Sequence, residues 1–269
     1  VRDALDRVLG GTLRRTARMR ASETFREHSL RLTADDPLLY LGLDFGLSGY
    51  ADRADNEWQE AFLPERLAKL LRHARVPVEG GGTRPLVRSE HVLFQAQRAP
   101  PRTEPPSGVL PMLGAGALFA SLLALSAGYR QRAVARFAYA LLLSIAGLLA
   151  GAAGGLLAFF WLATAHEAAW RNANLLLAPP WALAFVPAAV ATALRRHWGE
   201  ILLRRLALLT GASSLVALLL RVTGGVAQHD ERIIALLLPV WLAVLIAEFR
   251  FRPLAHGGNK RSRSVENTF

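Results

Sequence analysis

FAYALLLSIAGLLAGAAGGLLAFFWLATA, residues Phe137 to Ala165, runs for 29 positions without an Asp, Glu, Lys or Arg. As an α-helix rising 1.5 Å per residue it would be about 43 Å long. That exceeds a hydrocarbon core of ~30 Å, so the helix is expected to tilt or to project beyond the bilayer at one end. Its Gly147, Gly151 and Gly155 form two overlapping GxxxG spacings, which let another helix approach closely. The spacing fits packing within one bundle or pairing with a second copy, the first being the simpler reading.

Four further apolar runs surround it. Val109–Tyr129 precedes it, and Asn174–Leu194, Ile201–Leu220 and Ile233–Phe249 follow. Residues 109–249 are therefore read as a bundle of about five transmembrane helices, and the fold class as mainly α. Pro179, Pro180 and Pro187 predict an irregular or kinked third run. The fourth spans only if Arg204 and Arg205 snorkel at one end. No Asp, Glu or Lys stands in the middle of any run, which argues against an ion-coupled transporter.

The net charge of +11 on 269 residues suggests a nucleic-acid partner until its distribution is read. Residues 1–108 hold 17 Lys and Arg against 15 Asp and Glu, and the remainder holds 15 against 6. The basic excess thus flanks the apolar runs, which is a topology signal. Arg130, Arg132 and Arg136, then Arg195, Arg196, Arg204 and Arg205, then Arg250, Arg252, Lys260, Arg261 and Arg263 give twelve cations on one side. Arg171, Arg221 and Arg232 give three on the other. By the positive-inside rule the N-terminal part is extracytoplasmic and the basic end 250–269 is cytoplasmic. An exported N-terminal part calls for an export signal or an earlier span, so the protein is expected to extend upstream of Val1. Membrane lipids are the expected partners, and nucleic acid is not.

Residues 1–98 are read as a small, mainly helical extracytoplasmic domain. VRDALDRVLGG opens it with Val1, Leu5, Val8 and Leu9 on one face and a Gly10–Gly11 stop. Thr12 to His28 is Arg-rich and is read as exposed connection. Asp36 and Pro37 start a helix carrying Leu38, Leu39, Leu41 and Leu43. Asp55 is expected to cap a short helix with Trp58 and Phe62, and Pro64 to open PERLAKLLRHA. Gly80 to Gly82 is a turn, and PLVRSEHVLFQA (85–96) is expected to be one exposed strand. The Pro-rich residues 99–108 form the linker into the membrane.

The chain has no cysteine, which excludes disulfides, thiolate metal sites and a cysteine nucleophile within it. His28, His73, His91, His197 and His256 are scattered singly, so no metal or other cofactor is expected. The polar link HEAAWRNAN (166–174) lies between two apolar runs, next to the aromatic collar Phe159, Phe160 and Trp161. His166 can act as a base near neutral pH, Arg171 can pair with a phosphate or carboxylate, and Asn172 and Asn174 can donate to an oxyanion. The plainer reading is an interfacial turn whose asparagines cap the next helix.

Several stretches together resemble one family: VRDALDRVLGG, RLTADDPLLYLGLDFGLSGYADR (31–53), EWQEAFLPERL (57–67), PLVRSEHVLFQA and HEAAWRNANLLLAPP (166–180). The chain is similar to the later part of bacterial membrane proteins with an Lnb-type periplasmic domain, which include the Lnb-type lipoprotein N-acyltransferases. In that family an Asn-Cys-(Ser/Ala)-Thr type segment stands just before an Arg-Asp pair that Arg2 and Asp3 match. The resemblance implies a cysteine nucleophile upstream of Val1, an acyl chain taken from lipid and passed to a lipoprotein, and a catalytically inactive chain in its absence. Within that route, His166, Arg171, Asn172 and Asn174 are expected to orient the lipid headgroup or ester without serving as the nucleophile. A non-enzymatic, membrane-anchored binding or scaffold module is the alternative.

Overall fold

A computed structural model describes residues 1–18, 23–53, 56–78, 80–97 and 99–250. Its N-terminal unit has two layers. The first gathers α1 (Arg2–Val8), α2 (Thr12–Thr16), α5 (Glu57–Glu60) and α6 (Pro64–His73) around Leu13, Ala61, Leu70 and Ala74. The second holds α3 (Phe25–Leu32) packed on α4 (Pro37–Gly46), and α4 faces the membrane helices through Leu41 and Phe45. Gly10 and Gly11 take positive φ and turn the chain from α1 into α2. The interval Thr12–His28 is thus not plain exposed connection. Leu13 and His28 are both fully buried, and a Thr24–Glu27 capping box opens α3. Asn56 caps α5, with Gln59 answering it; Asp55 lies outside the described residues.

The strand expected over residues 85–96 is displaced. A short hairpin pairs β1 (Arg75–Pro77) with β2 (Thr83–Pro85) through Gly80, Gly81 and Gly82, all at positive φ. Residues 87–97 beyond it form no helix or strand, and Val92, Leu93 and Phe94 lie exposed. The alternation that suggested a strand was local, whereas a strand needs a second segment for its N–H and C=O groups. The linker then straps the unit, bonded from Arg31 to the Arg102 carbonyl and from Tyr40 Oη to the Pro106 carbonyl at 2.9 Å.

Four helices are long and apolar enough to cross a membrane: α7 (Val109–Gly128), α8 (Ala133–Ala163), α10 (His197–Val222) and α11 (Glu231–Arg250). The third run of the sequence breaks, as its prolines predict. Glu167–Leu176 and Pro180–Ala193 meet at 48°, and the second of these carries α9 (Phe185–Ala193). Taken as one broken span, they bring the crossings to five. The buried core centres on Phe185 stacked on Trp241, their ring centroids 5.4 Å apart.

The glycine seam of α8 packs inside this bundle, one residue out of the expected register. A Cβ on Gly147 would come 2.6 Å from Phe185 Cβ, and on Gly151 2.5 Å from Leu183 N. The seam continues at Gly154, against the Ala178 carbonyl; Gly155 has nothing within 4 Å. A 3.6-residue turn carries positions 147, 151 and 154 along one face, while 155 rotates away. On the other side α7 lies mainly along α11, where Gly116 faces the Ala235 and Leu236 carbonyls. Pro239 has no N–H to give the Ala235 carbonyl. The basic end 251–269 lies outside the described residues.

Candidate functional site

Helix α4 is the element that joins the two parts. Asp36 Oδ1 accepts from the Leu38 and Leu39 backbone N–H groups at 3.1 and 3.0 Å, and Pro37 presets the first turn. Leu41 and Phe45 turn onto the bundle, beside Leu177, Ile233 and Ile234. At its C-terminus the last carbonyls have no partner within the helix, and the 172–174 segment provides it. Asn172 Nδ2 donates to the Phe45 and Gly46 carbonyls at 3.0 and 2.9 Å, and Asn174 Nδ2 to Phe45 at 2.8 Å. Gln228 closes the group. Its Nε2 donates to Asn172 Oδ1 at 3.0 Å, and its Oε1 accepts from the Ala173 N–H at 2.9 Å.

A charged network fixes the loop after α4. Arg26, 3% exposed, spends its guanidinium on Asp52 Oδ1 (2.7 Å), Asp44 Oδ1 and carbonyl (3.0 and 2.9 Å), the Leu47 carbonyl (2.7 Å) and the Ser48 carbonyl (3.4 Å). Asp44 also accepts from Arg232 at 3.1 Å, and Asp52 from the His229 N–H and Nδ1, each at 3.1 Å. The N-terminal unit is thereby bonded at Asp52 to the link before α11 and at Asp44 to the first turn of α11. Asp230 completes this corner, with Oδ1 lacking a hydrogen-bond partner among the described residues. Burial pushes its carboxyl up to about 6; Glu231 adds to the rise, while its own backbone N–H, Arg221 and Arg26 oppose it.

Above the bundle, Glu23, His28 and Glu60 bring ligand-type atoms within 4.8 Å of one another. His28 Nε2 faces Glu60 Oε1 at 3.0 Å, and Arg31 and Arg66 pair with the same carboxylates. Two guanidiniums balance two carboxylates, so the cluster closes on itself as a buried ion-pair core. Sequence spacing gave no sign of it, because its members come from two stretches, 23–31 and 60–66, about thirty residues apart.

Between α4 and the membrane helices lies a cavity of about 530 Å³. Leu38, Leu41, Gly42 and Phe45 of α4 close one end. Ala115 and Phe119 of α7, the Ile145–Ala153 face of α8, and α11 from Ile233 to Trp241 form the walls. Every lining residue is apolar. The cavity exists because α7 follows α11 and touches α8 far less, which leaves a gap between neighbours in the chain.

The four residues nominated in the polar link divide into two pairs. Asn172 and Asn174 are buried and committed to α4. Their amide N–H groups reach the last carbonyls of α4, and Asn172 Oδ1 also caps the next helical turn as the plain reading had it, accepting from the Asn174 N–H at 2.9 Å. His166 and Arg171 are exposed. His166 Nδ1 lies 3.0 Å from Thr164 Oγ1, its ring 5.4 Å from that of Phe160, and Arg171 stands at φ 53°. The structure does not bring these two into the cavity lining. Arg2, from the Arg-Asp pair, donates to the Trp58 carbonyl at 2.8 Å and stacks over the Trp58 ring; Asp3 pairs with Arg2 at the surface.

Four to five apolar crossings, tied to a helical unit that caps a lateral cavity, define a multi-pass membrane protein. A family model described as the Lnb transmembrane domain matches residues 103–248, more than half of the chain. The chain belongs to that family. No curated protein and no solved structure matches it.

Proposed function

We propose that this chain is the membrane part and adjoining periplasmic part of a protein that moves an acyl chain from a lipid to a lipoprotein. The observation that carries the reading is the cavity: apolar throughout, open between membrane helices, and capped by a helix that the N-terminal unit holds in place. A lipid tail has no polar group along its length, so such walls suit it and leave nothing unsatisfied. The charge distribution supports a periplasmic N-terminal unit and a cytoplasmic end in a bacterial inner membrane.

In this reading a cysteine thiol ahead of Arg2 gives its proton to a base and attacks the lipid ester carbonyl; the thioester forms, the ester C–O bond breaks, and the leaving alkoxide takes that proton from the base to depart as the lipid alcohol. The α-amine of the lipoprotein then attacks the thioester, an amide forms, and the thiol is restored with the amine's proton. The chain described here contributes the placement of the lipid. Asn172 and Asn174 fix α4 at the cavity end, and His166 and Arg171 stand beside them at headgroup level. The test uses the full-length protein in cells. Ala150→Trp and Ala153→Phe, each filling the cavity, are expected to lower lipoprotein N-acylation at least about tenfold at equal membrane abundance. Unchanged acylation in both would overturn the reading and favour a binding or scaffold module.

A further inference from the structure

We infer that the cavity is a slot one leaflet deep for a single acyl chain, and that Phe119, Ile145, Ala146 and Trp241 form a floor that sets the preferred chain length. The inference rests on the lipid-handling reading above, and the experiment below separates the two.

The depth follows from position along three helices. Phe119 is ten residues into α7 and Trp241 ten residues into α11, about 15 Å from the ends beside α4. From the opposite ends, Phe119 and Trp241 are nine residues in and Ile145 is twelve residues in from Ala133, about 14 to 18 Å. Half of a ~30 Å hydrocarbon core is about 15 Å, so all three helices put these residues near the midplane. The α4 end stays at the level where α7 and α11 begin. Tyr40 bonds to Pro106 there, and Arg232 lies against Gly108 and over the Tyr40 ring. The slot therefore stops halfway, as one tail of a lipid does.

The chemistry of the walls selects the occupant. A peptide segment would bring N–H and C=O groups that no lining residue can satisfy. An acyl chain brings none. Because the chain leaves one hydrocarbon environment for another, transfer from water supplies no preference. Fit decides: a short chain leaves a void above the floor, and a long one must buckle at α4. Trp241 is a rigid floor, with Nε1 bonded to the Leu177 carbonyl at 2.7 Å and its ring stacked on Phe185. Phe119 and Ala146 are the adjustable parts.

The chain, reconstituted with an equimolar mixture of dimyristoyl, dipalmitoyl and distearoyl phosphatidylglycerol, is extracted and its retained lipid read by native mass spectrometry. One lipid per chain is expected, with one length favoured. Ala146→Phe should shift the ratio about fivefold toward shorter tails, and Ala146→Val less in the same direction. Phe119→Ala should shift it about fivefold toward longer ones, below the roughly tenfold or more that a methylene commands in a water-facing pocket. Leu118→Ala, on the exposed face of α7, should change nothing. Opposite shifts from the two floor sites are not what general destabilisation produces. Retained lipid with unshifted ratios in Ala146→Phe, Ala146→Val and Phe119→Ala would overturn the length-setting floor and leave lipid handling standing. No retained lipid in the wild-type chain would overturn both.

Discussion

Replacing Gly154 by alanine adds one methyl group where α8 lies tightest against the broken segment. The new Cβ would stand 2.8 Å from the Ala178 carbonyl carbon and 3.2 Å from that of Pro179, with the Ala178 oxygen nearer still. These are backbone atoms, so no rotamer change relieves the clash, and one of the two segments must move. Overpacking of this kind costs about 1–3 kcal/mol, and the shift here falls on the segment that carries Asn172 and Asn174. Gly155→Ala is the matched control, with the same chemistry one position away and nothing within 4 Å of its new Cβ. It should be neutral or stabilising by up to about 1 kcal/mol, from helix propensity alone. Melting followed by fluorescence-detected size exclusion in detergent reads both. The expected order is Gly155→Ala at or above wild type and Gly154→Ala well below. Equal midpoints, or the reverse order, would refute the register assigned to the α8 seam.

Asp230 gives a pH signature. Burial raises its carboxyl from 3.8 to about 6, so the native state favours the protonated form. Its contribution to stability is present below about pH 4 and lost as pH rises through about 6. Asp230→Asn should therefore stabilise the protein above about pH 6 by on the order of 1–2 kcal/mol, and by little below about pH 4. Thermal midpoints at about pH 4 and about pH 7.5 decide it, and an equal gain at both would contradict the assignment. Arg26→Lys keeps the charge but loses the forked geometry that serves the Asp44 and Asp52 carboxylates and three carbonyls at once. It should cost about 3–5 kcal/mol and open residues 44–53 to limited proteolysis; wild-type protease resistance would show that the network is not what holds the loop.

The sequence made the membrane helices legible because lipid leaves a plain record: long runs free of charge. The break in the third run was legible too, in Pro179 and Pro180. Burial of Arg26, Arg31 and His28 was not, since an Arg-rich stretch reads as exposed unless its partners are known, and those of Arg26 lie 18 to 26 residues away. Polarity beside apolar runs drew attention to Asn172 and Asn174, yet the carbonyls they cap belong to α4, 126 to 129 residues earlier. The cavity left no mark at all. Residues facing lipid and residues lining the slot are the same apolar types, so only the divergence of α7 from α8 distinguishes them.

The bonds between α4 and the bundle also set an order of assembly. Asp44 waits 188 residues for Arg232, and Asp52 waits 177 for His229. The N-terminal unit is synthesised before the helices that complete its contacts, so until α11 arrives its Asp44 and Asp52 lack those partners and α4 lacks one wall to cover. Loop closure over such separations is slow, and a chain stopped before α11 would present Leu38, Leu41 and Phe45 to whatever surveys unfinished membrane proteins. The clamp that shapes the slot in the finished molecule can therefore close only once the last membrane helix is in place.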